Sequence, residues 1–161
     1  MKIEVIEADY TDSQQASDLV FLLNSYALDP MGGGQALSAT VQQSLAASLA
    51  SLPHAFSLLC YVDTKPAGLV NCLEGFSTFS CRKLVNIHDI AVLEHFRGLG
   101  LGQRLLQGVE LIARQRDCCK ITLEVLEGNE PAKGAYRKFG FDSYELDPAL
   151  GKAMFWQKYL D

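Results

Sequence analysis

Three glycines at alternate positions stand between a predicted strand and the clearest helix of the chain. The segment reads Arg97-Gly-Leu-Gly-Leu-Gly-Gln103, and apolar residues recur at helical spacing from Gly102 to Arg116. Glycine allows a tight turn and keeps side chains away from the backbone amides. The first turn of the helix adds unpaired N–H groups and the positive end of its dipole. The pattern therefore predicts a strand–turn–helix unit that binds a pyrophosphate.

The spacing of these glycines decides which pyrophosphate the turn suits. A dinucleotide-binding turn requires a further glycine where Gln103 stands, and no Gly-Lys-Ser/Thr follows to make a P-loop. The pattern that remains, Arg97-x-x-Gly100-x-Gly102, resembles the acetyl-CoA-binding signature R/Q-x-x-G-x-G/A of the GNAT superfamily of N-acetyltransferases. Taken alone, the same glycines are also compatible with a helix start that uses them only for geometry.

A second segment strengthens the resemblance. Residues 129–141, Asn-Glu-Pro-Ala-Lys-Gly-Ala-Tyr-Arg-Lys-Phe-Gly-Phe, are similar to the superfamily segment N-x-x-A-x-x-x-Y-x-x-x-G-F and follow the turn in the same order. The likeness extends from about Phe56 to the C-terminus. Within the superfamily, residues 75–92 and 129–131 most resemble the spermidine/spermine type of small-amine N-acetyltransferase, although His88 stands where those enzymes carry a glutamate.

Periodicity and turn residues predict a single α/β (α+β) domain over residues 1–161. Its central sheet is expected to be mixed, mostly antiparallel and flanked by helices, in the order β-α-α-β-β-β-α-β-α-β-β. The predicted strands are Lys2–Glu7, Phe56–Val62, Gly68–Leu73, Leu84–Val92, Lys120–Leu126, Phe141–Leu146 and Ala153–Tyr159. The predicted helices begin at a Thr11 or Asp12 cap and end before Asp29, run from Ser38 to Leu52, and cover Gly102–Arg116 and Asn129–Phe139.

Composition argues against several classes of protein. The net charge is −5 with no basic cluster, so we expect no nucleic-acid partner. No apolar run approaches the roughly 18 residues of a membrane span, and the acidic N-terminal segment does not read as a signal peptide, so we expect a cytoplasmic protein without membrane contact. The five cysteines form no CxxC pair, which favours reduced thiols over a metal site.

The resemblance implies transfer of an acetyl group from acetyl-CoA to a primary amine in one ternary complex, without a metal. The pantetheine arm is expected to pair with the backbone of Ile90 to Val92, where the Val92 amide would face the thioester oxygen. The expected cofactor-binding residues are Ile90, Ala91, Val92, Arg97, Gly98, Leu99, Gly100, Leu101, Gly102, Gln103, Asn129, Ala132 and Tyr136.

Two side chains are candidates for the base that deprotonates the amine. His88 lies at the position of the glutamate of the small-amine enzymes, and imidazole, with a pKa of about 6.5, is mostly neutral at pH 7. Glu124 is the rival, since some members that acetylate protein N-termini use a glutamate there. Strand alternation predicts that Asp89 lies on the face opposite His88. Tyr136 is the expected general acid for the leaving thiolate.

The resemblance places the acceptor pocket at the first two helices, their connecting loop and the last strands. The expected acceptor-binding residues are Tyr26, Asp29, Glu74, Phe76 and Trp156. Asp29 and Glu74 are either partners of a cationic amine or solvated surface acids, and the loop with Gly32–Gly34 is either a lid or a plain connection. A small amine such as a polyamine or amino acid is favoured, with a protein N-terminus, a lysine or a non-catalytic acetyl-CoA sensor as alternatives. A homodimer is also expected.

Overall fold

The computed structural model describes residues 1–160, and its elements follow the predicted order as far as the fourth long helix. The strands are β1 (Ile3–Glu7), β2 (Ala55–Val62), β3 (Lys65–Ser77), β4 (Arg82–Val92) and β5 (Ile121–Leu123). The helices are α1 (Ser13–Leu28), α2 (Ala39–Ala50), α3 (Leu101–Gln115) and α4 (Glu130–Phe139). Short 3₁₀ turns cover Pro30–Gly32, Glu94–Phe96 and Pro148–Leu150.

The backbone contacts divide the chain into two compact units. The first, Met1–Leu123, holds the whole sheet and helices α1 to α3, and the second begins at Glu124 and holds α4. The single-domain organisation stays a prediction.

The five strands form one sheet in the order β1-β2-β3-β4-β5. Strands β1 to β4 pair antiparallel with one another, and β5 runs parallel to β4. This arrangement confirms the predicted mixed, mostly antiparallel sheet flanked by helices.

Helices cover both faces of the sheet. Leu19 and Leu22 of α1 pack with Leu59 and Leu69, and all four are buried. On the opposite face α3 approaches so closely that a Cβ on Gly108 would lie 2.6 Å from Leu58 Cδ1. Because Leu58 and Leu59 point to opposite sides of β2, the first two helices and α3 enclose two separate layers of core.

The long helices begin at side-chain caps that the sequence marks. Asp12 Oδ1 accepts hydrogen bonds from the Gln14 and Gln15 amides, and Ser38 Oγ accepts one from the Val41 amide. Each cap satisfies amides that have no acceptor within their helix. The predicted starts of α1 and α2 are therefore confirmed.

The predicted strands after α4 do not form. Among the described residues of 141–160 only one isolated bridge occurs, between Glu145 and Lys152, and the strand predicted over Lys120–Leu126 is reduced to β5. Met154, Phe155 and Trp156 are consecutive apolar residues within the predicted strand, yet their side chains are 71–81% exposed. A strand needs a paired neighbour and a buried face, and this segment has neither here.

Within residues 1–160 no helix has the length and apolar character needed to cross a membrane. The same residues contain no cluster of three or more His, Cys, Asp or Glu side chains suited to a metal ion.

Candidate functional site

The glycine turn leaves backbone amides exposed at the start of α3. Gly98 and Gly100 have φ angles of +82° and +76°, which favour glycine. Gly100 is the N-cap of α3 and supplies no side-chain cap, and within residues 1–160 the Leu101 and Gly102 amides find no backbone acceptor. A Cβ built on Gly98, Gly100 or Gly102 would meet no atom within 4 Å. Open space in front of uncapped amides fits a diphosphate.

Beside this turn, no strand of the described residues pairs with the outer edge of β4. The Leu93 amide donates to Ala67 O at 2.9 Å, and this register turns the backbone polar groups of Ile90 and Val92 away from β3. On the other side β5 pairs with β4 only from Val85 to Ile87. The amides of Ile90 and Val92 therefore face an open edge, as an extended pantetheine arm requires, whereas the Ala91 backbone faces β3.

Arg97 connects the turn to the end of α1. Its Nε donates to Val92 O at 3.2 Å, and its Nη2 donates to Asp29 Oδ2 at 2.9 Å. Asp29 Oδ1 also accepts from the Met31 amide at 2.9 Å. The hydrogen bond from the Met31 amide and the Arg97 guanidinium hold the pKa of Asp29 below its usual value. The Arg97 side chain is thus used to join two loops of the first unit.

A pocket of about 500 Å³ opens between α1 and the segment that links β4 to the turn. Its lining includes Tyr26, Asp29, Ala91, Glu94 and Arg97. Burial, with smaller contributions from the charges of Asp89 and Asp29, raises the pKa of Tyr26. The structure therefore brings together two of the predicted acceptor residues, Tyr26 and Asp29, next to the cofactor turn.

The loop after α1 is closely packed against Tyr26. A Cβ on Gly32 would lie 1.9 Å from Tyr26 O, so only glycine fits there. The Gly32 and Gly34 amides both donate to Asp29 O, at 2.8 and 3.1 Å. These contacts give the Pro-Met-Gly-Gly-Gly segment a structural role beside the pocket, whose lining includes Asp29 and Pro30.

Of the other predicted acceptor residues in the first unit, Glu74 and Phe76 do not line this pocket. Glu74 lies on the α3 face of the sheet, where Lys83 Nζ approaches it at 2.9 Å and Arg116 at 3.6 Å. Phe76 lies towards the far end of β3 with 58% of its surface exposed. Trp156 belongs to the second unit and is 81% exposed.

His88 occupies a β-bulge in β4. Asn71 pairs with Asp89 while Cys72 pairs with Ile87, so His88 is the extra residue. The bulge places Asp89 on the same face as Asn86, and the imidazole Nδ1 of His88 bonds to Asn86 Oδ1. His88 and Asp89 therefore lie on one face, the face of α1 and α2. The expectation that they point to opposite faces is wrong because alternation does not continue through a bulge.

The hydrogen bonds around Asn86 assign the tautomer of His88. Asn86 Nδ2 donates to Thr122 Oγ1 at 3.0 Å, so the amide oxygen is the atom that faces the imidazole. An Nδ1–H donates to that oxygen, and in the neutral ring this tautomer leaves the lone pair on Nε2. This arrangement suits a base.

Sequence reasoning missed a chain of polar side chains that ends at Asp89. Tyr10, Ser57 and Asn71 are hydrogen-bonded in series on the same face, and Asn71 donates to Asp89. The available signal was a single polar residue inside each of two apolar strand segments, Phe56–Val62 and Gly68–Leu73.

The remaining predicted residues lie in the second unit. Asn129 is the N-cap of α4, and its Oδ1 accepts from the Ala132 amide at 3.2 Å. Tyr136 lies in α4 with its ring 5.9 Å from that of Phe141 in an edge-to-face contact. Glu124 is exposed and stands one residue beyond β5. The predicted roles of Tyr136 and Glu124 stay predictions.

The cysteines are all free thiols. Cys60 and Cys72 are buried, and burial raises the pKa of the Cys72 thiol well above its usual range. A thiol of that kind is a poor nucleophile.

Among proteins similar in sequence, streptothricin acetyltransferase from Streptomyces lavendulae is 38% identical over 81 residues, which cover 48% of this chain and 43% of that protein. Glucosamine 6-phosphate N-acetyltransferase 1 from Dictyostelium discoideum is 32% identical over 78 residues, or 46% of this chain and 50% of that protein. The chain thus matches half or less of the length of these curated relatives.

Solved structures share the fold over nearly the whole chain. A probable acetyltransferase superposes with a TM-score of 0.80 at 19% identity, covering 98% of this chain and 99% of that one. The aminoglycoside N-acetyltransferase AAC(6')-Iy, bound to the bisubstrate analogue CoA-S-monomethyl-acetylneamine, superposes with a TM-score of 0.77 at 14% identity, covering 99% and 100%.

The family model of the GNAT acetyltransferases matches residues 20–141. That range is more than half of the chain and contains the glycine turn, the open edge of β4 and helix α4. The chain therefore belongs to the GNAT acetyltransferase family.

Proposed function

We propose that this protein is an acetyl-CoA-dependent N-acetyltransferase whose acceptor is a small cationic amine. One observation carries the proposal: the uncapped N-terminus of α3 adjoins an edge of β4 that no strand of the described chain occupies. The turn suits a diphosphate, and the strand edge suits an extended arm that ends in a thioester.

The chain's own backbone performs the binding. The amides from Gly98 to Gln103 hold the diphosphate, and the edge of β4 at Ile90 and Val92 aligns the arm. Acetyl-CoA, when bound, supplies an activated acetyl thioester. The Val92 N–H is fixed in place by the β3–β4 pairing, and it would serve as the hydrogen-bond donor to the thioester oxygen.

Proton transfer is assigned to two side chains. An alkylammonium has a pKa of about 10.4, so a base must remove its proton near neutral pH. Nε2 of His88 takes that proton, supported by the tautomer that Asn86 selects. Tyr136 donates to the leaving thiolate, as the family resemblance implies. Glu124 is the second candidate for the base.

The charge of the pocket supports a cationic acceptor. Asp29, Glu94 and Arg97 line it, and because Arg97 balances the charge of Asp29, the acid of the lining that supplies negative charge is Glu94. Asp89 lies two residues before Ala91 on the same face of β4. The protein as a whole carries a net charge of −5, which favours the approach of cations. We therefore favour polyamines, basic amino acids and aminoglycosides over neutral amines.

A thiol-release assay with a panel of amines tests the proposal. Spermidine, L-lysine, neamine and a peptide with a free N-terminal alanine are each mixed with protein and acetyl-CoA, and mass spectrometry identifies any acetylated product. We expect acetylation of at least one small cationic amine. Acetylation of the peptide alone would favour the protein N-terminus as substrate, and acetyl-CoA binding without any product would favour a sensor. The homodimer stays a prediction.

A further inference from the structure

Four polar side chains form one continuous hydrogen-bonded series across the sheet. Tyr10 Oη lies 2.8 Å from Ser57 Oγ, Ser57 Oγ lies 2.6 Å from Asn71 Oδ1, and Asn71 Nδ2 lies 3.0 Å from Asp89 Oδ2. Ser57, Asn71 and Asp89 are direct cross-strand neighbours on β2, β3 and β4. The series therefore depends on the register of three strands and on the loop between β1 and α1.

The middle of the series is buried. Ser57 has no exposed surface and Asn71 is 7% exposed, within a face otherwise packed by Leu59 and Leu69. Burying a hydroxyl and an amide costs free energy unless both are hydrogen-bonded. In the described chain every buried side-chain polar atom has a partner, so this pair is satisfied only through the series.

All donors in the series point towards Asp89. An ionised carboxylate only accepts, so Asn71 must present its NH₂ group to Asp89 and its oxygen to Ser57. The Ser57 hydroxyl donates its one hydrogen to that oxygen. The Tyr10 hydroxyl must therefore be the donor in its hydrogen bond with Ser57 Oγ. The reverse orientation would require a protonated Asp89.

The carboxylate at the end of the series lacks a cationic partner. Asp29 pairs with Arg97, and Glu74 pairs with Lys83, but within residues 1–160 Asp89 forms no ion pair. Its Oδ2 is held by Asn71, and Asp89 stays half-buried beside His88 on the acceptor face. The site therefore offers a fixed negative charge to a cation from outside the chain.

We propose that Tyr10, Ser57 and Asn71 are positioning residues that hold the Asp89 carboxylate as the docking point for the ammonium group of the acceptor. This inference rests on the proposed function. Tyr10, Ser57 and Asn71 affect acceptor binding only by holding the Asp89 carboxylate in place.

The test compares variants of the series with a matched control. Tyr10→Phe and Ser57→Ala each remove one hydroxyl from the series. Tyr61→Phe is the control, because Tyr61 also donates from the same face to a carboxylate, Asp18 Oδ2 at 2.8 Å, but lies outside the series. The probe is whichever of spermidine, L-lysine and neamine is acetylated fastest, and KM is measured for the amine and for acetyl-CoA.

We expect Ser57→Ala to raise the amine KM by about tenfold and Tyr10→Phe by less, with kcat and the acetyl-CoA KM changed much less. In an Asp89→Asn background the same substitutions should leave the amine KM unchanged. Tyr61→Phe should leave it unchanged in either background. An equal rise in the Asp89→Asn background, or an equal rise with Tyr61→Phe, would overturn the proposal.

If none of the amines is acetylated, the proposed function fails, and crystal structures of the wild type and Ser57→Ala decide the positioning role separately. Displacement of the Asp89 carboxylate away from Asn71 in the variant supports that role. An unmoved carboxylate overturns it.

Discussion

Arg97 and Asp29 stand 68 positions apart in the chain, yet the guanidinium of one lies 2.9 Å from the carboxylate of the other. The pair ties the cofactor turn to the corner of α1 that shapes the acceptor pocket. Its side chains are 57% and 27% exposed, so its contribution to folding is expected to stay below about 1 kcal/mol. The greater effect should be on the geometry of the turn.

Asp29→Asn tests the pair through the pH dependence of unfolding. The pKa of Asp29 in the folded protein lies below its ordinary value of 3.8. A carboxyl with a lowered folded pKa contributes stability above the unfolded pKa and loses it as pH falls through the folded pKa. Wild type should therefore be slightly more stable than Asp29→Asn near pH 6, and urea unfolding should show the difference shrinking as the pH falls below 3.8 and through the lowered folded pKa. A difference that persisted at low pH would contradict the role of this ion pair.

Gly100→Asp should abolish acetyl-CoA binding, whereas Gly100→Asn should retain part of it. Both side chains tolerate the left-handed φ of +76° better than other residues, and they differ mainly in charge. A carboxylate at the N-cap would repel the diphosphate and compete for the same amides. The measurement is the rise in melting temperature with added acetyl-CoA. Equal shifts for the two variants would place the diphosphate elsewhere.

The elements that depend on local spacing could be predicted from the sequence. The glycine turn, the caps Asp12 and Ser38, and the amphipathic pattern of α3 each lie within one short stretch of chain. Their signals act over a few residues, so the pattern contains them in full. The sequence also predicts the starts of α1, α2 and α4 and the antiparallel hairpin of β2 and β3, for the same reason.

The arrangement around Asp89 could not be predicted, because it depends on register between distant segments. Alternation assigned Asp89 and His88 to opposite faces, but the bulge opposite Asn71 and Cys72 exists only once β3 and β4 pair. The alignment of Ser57 with Asn71 likewise follows from the β2–β3 register. The two last predicted strands were wrong because an alternating pattern does not specify a pairing partner.

His88→Ala should lower kcat/KM most strongly near neutral pH, by roughly 100-fold, with a smaller loss at alkaline pH. The reason is that the amine loses its own proton as pH approaches about 10.4, where a protein base is no longer required. Steady-state rates between pH 6 and 10 measure this. A loss of the same size at every pH would make His88 a structural residue and Glu124 the favoured base.

Tyr136→Phe separates catalysis from cofactor binding. Loss of the phenol should lower kcat by roughly 100-fold while the Kd for CoA changes little, because the hydroxyl is assigned to the leaving thiolate. Turnover is measured by thiol release and binding by calorimetry. If kcat is unaffected, the Tyr136 hydroxyl is not the acid for the thiolate. If CoA affinity falls in parallel with turnover, the hydroxyl contributes to binding.

Two helical glycines should respond in opposite ways to alanine. In α3, a methyl at Gly108 would lie 2.6 Å from Leu58 Cδ1 and 3.5 Å from Val5 Cγ1, so Gly108→Ala should cost about 1–3 kcal/mol in overpacking, partly offset by helix propensity. In α4, a methyl at Gly134 would meet nothing within 4 Å, so Gly134→Ala should gain up to about 1 kcal/mol. Urea unfolding measures both. Because the gain in helix propensity is the same at both positions, the difference between the two changes in unfolding free energy measures the close approach of α3 to β2. Equal changes would mean that α3 and β2 leave room for a methyl group at Gly108.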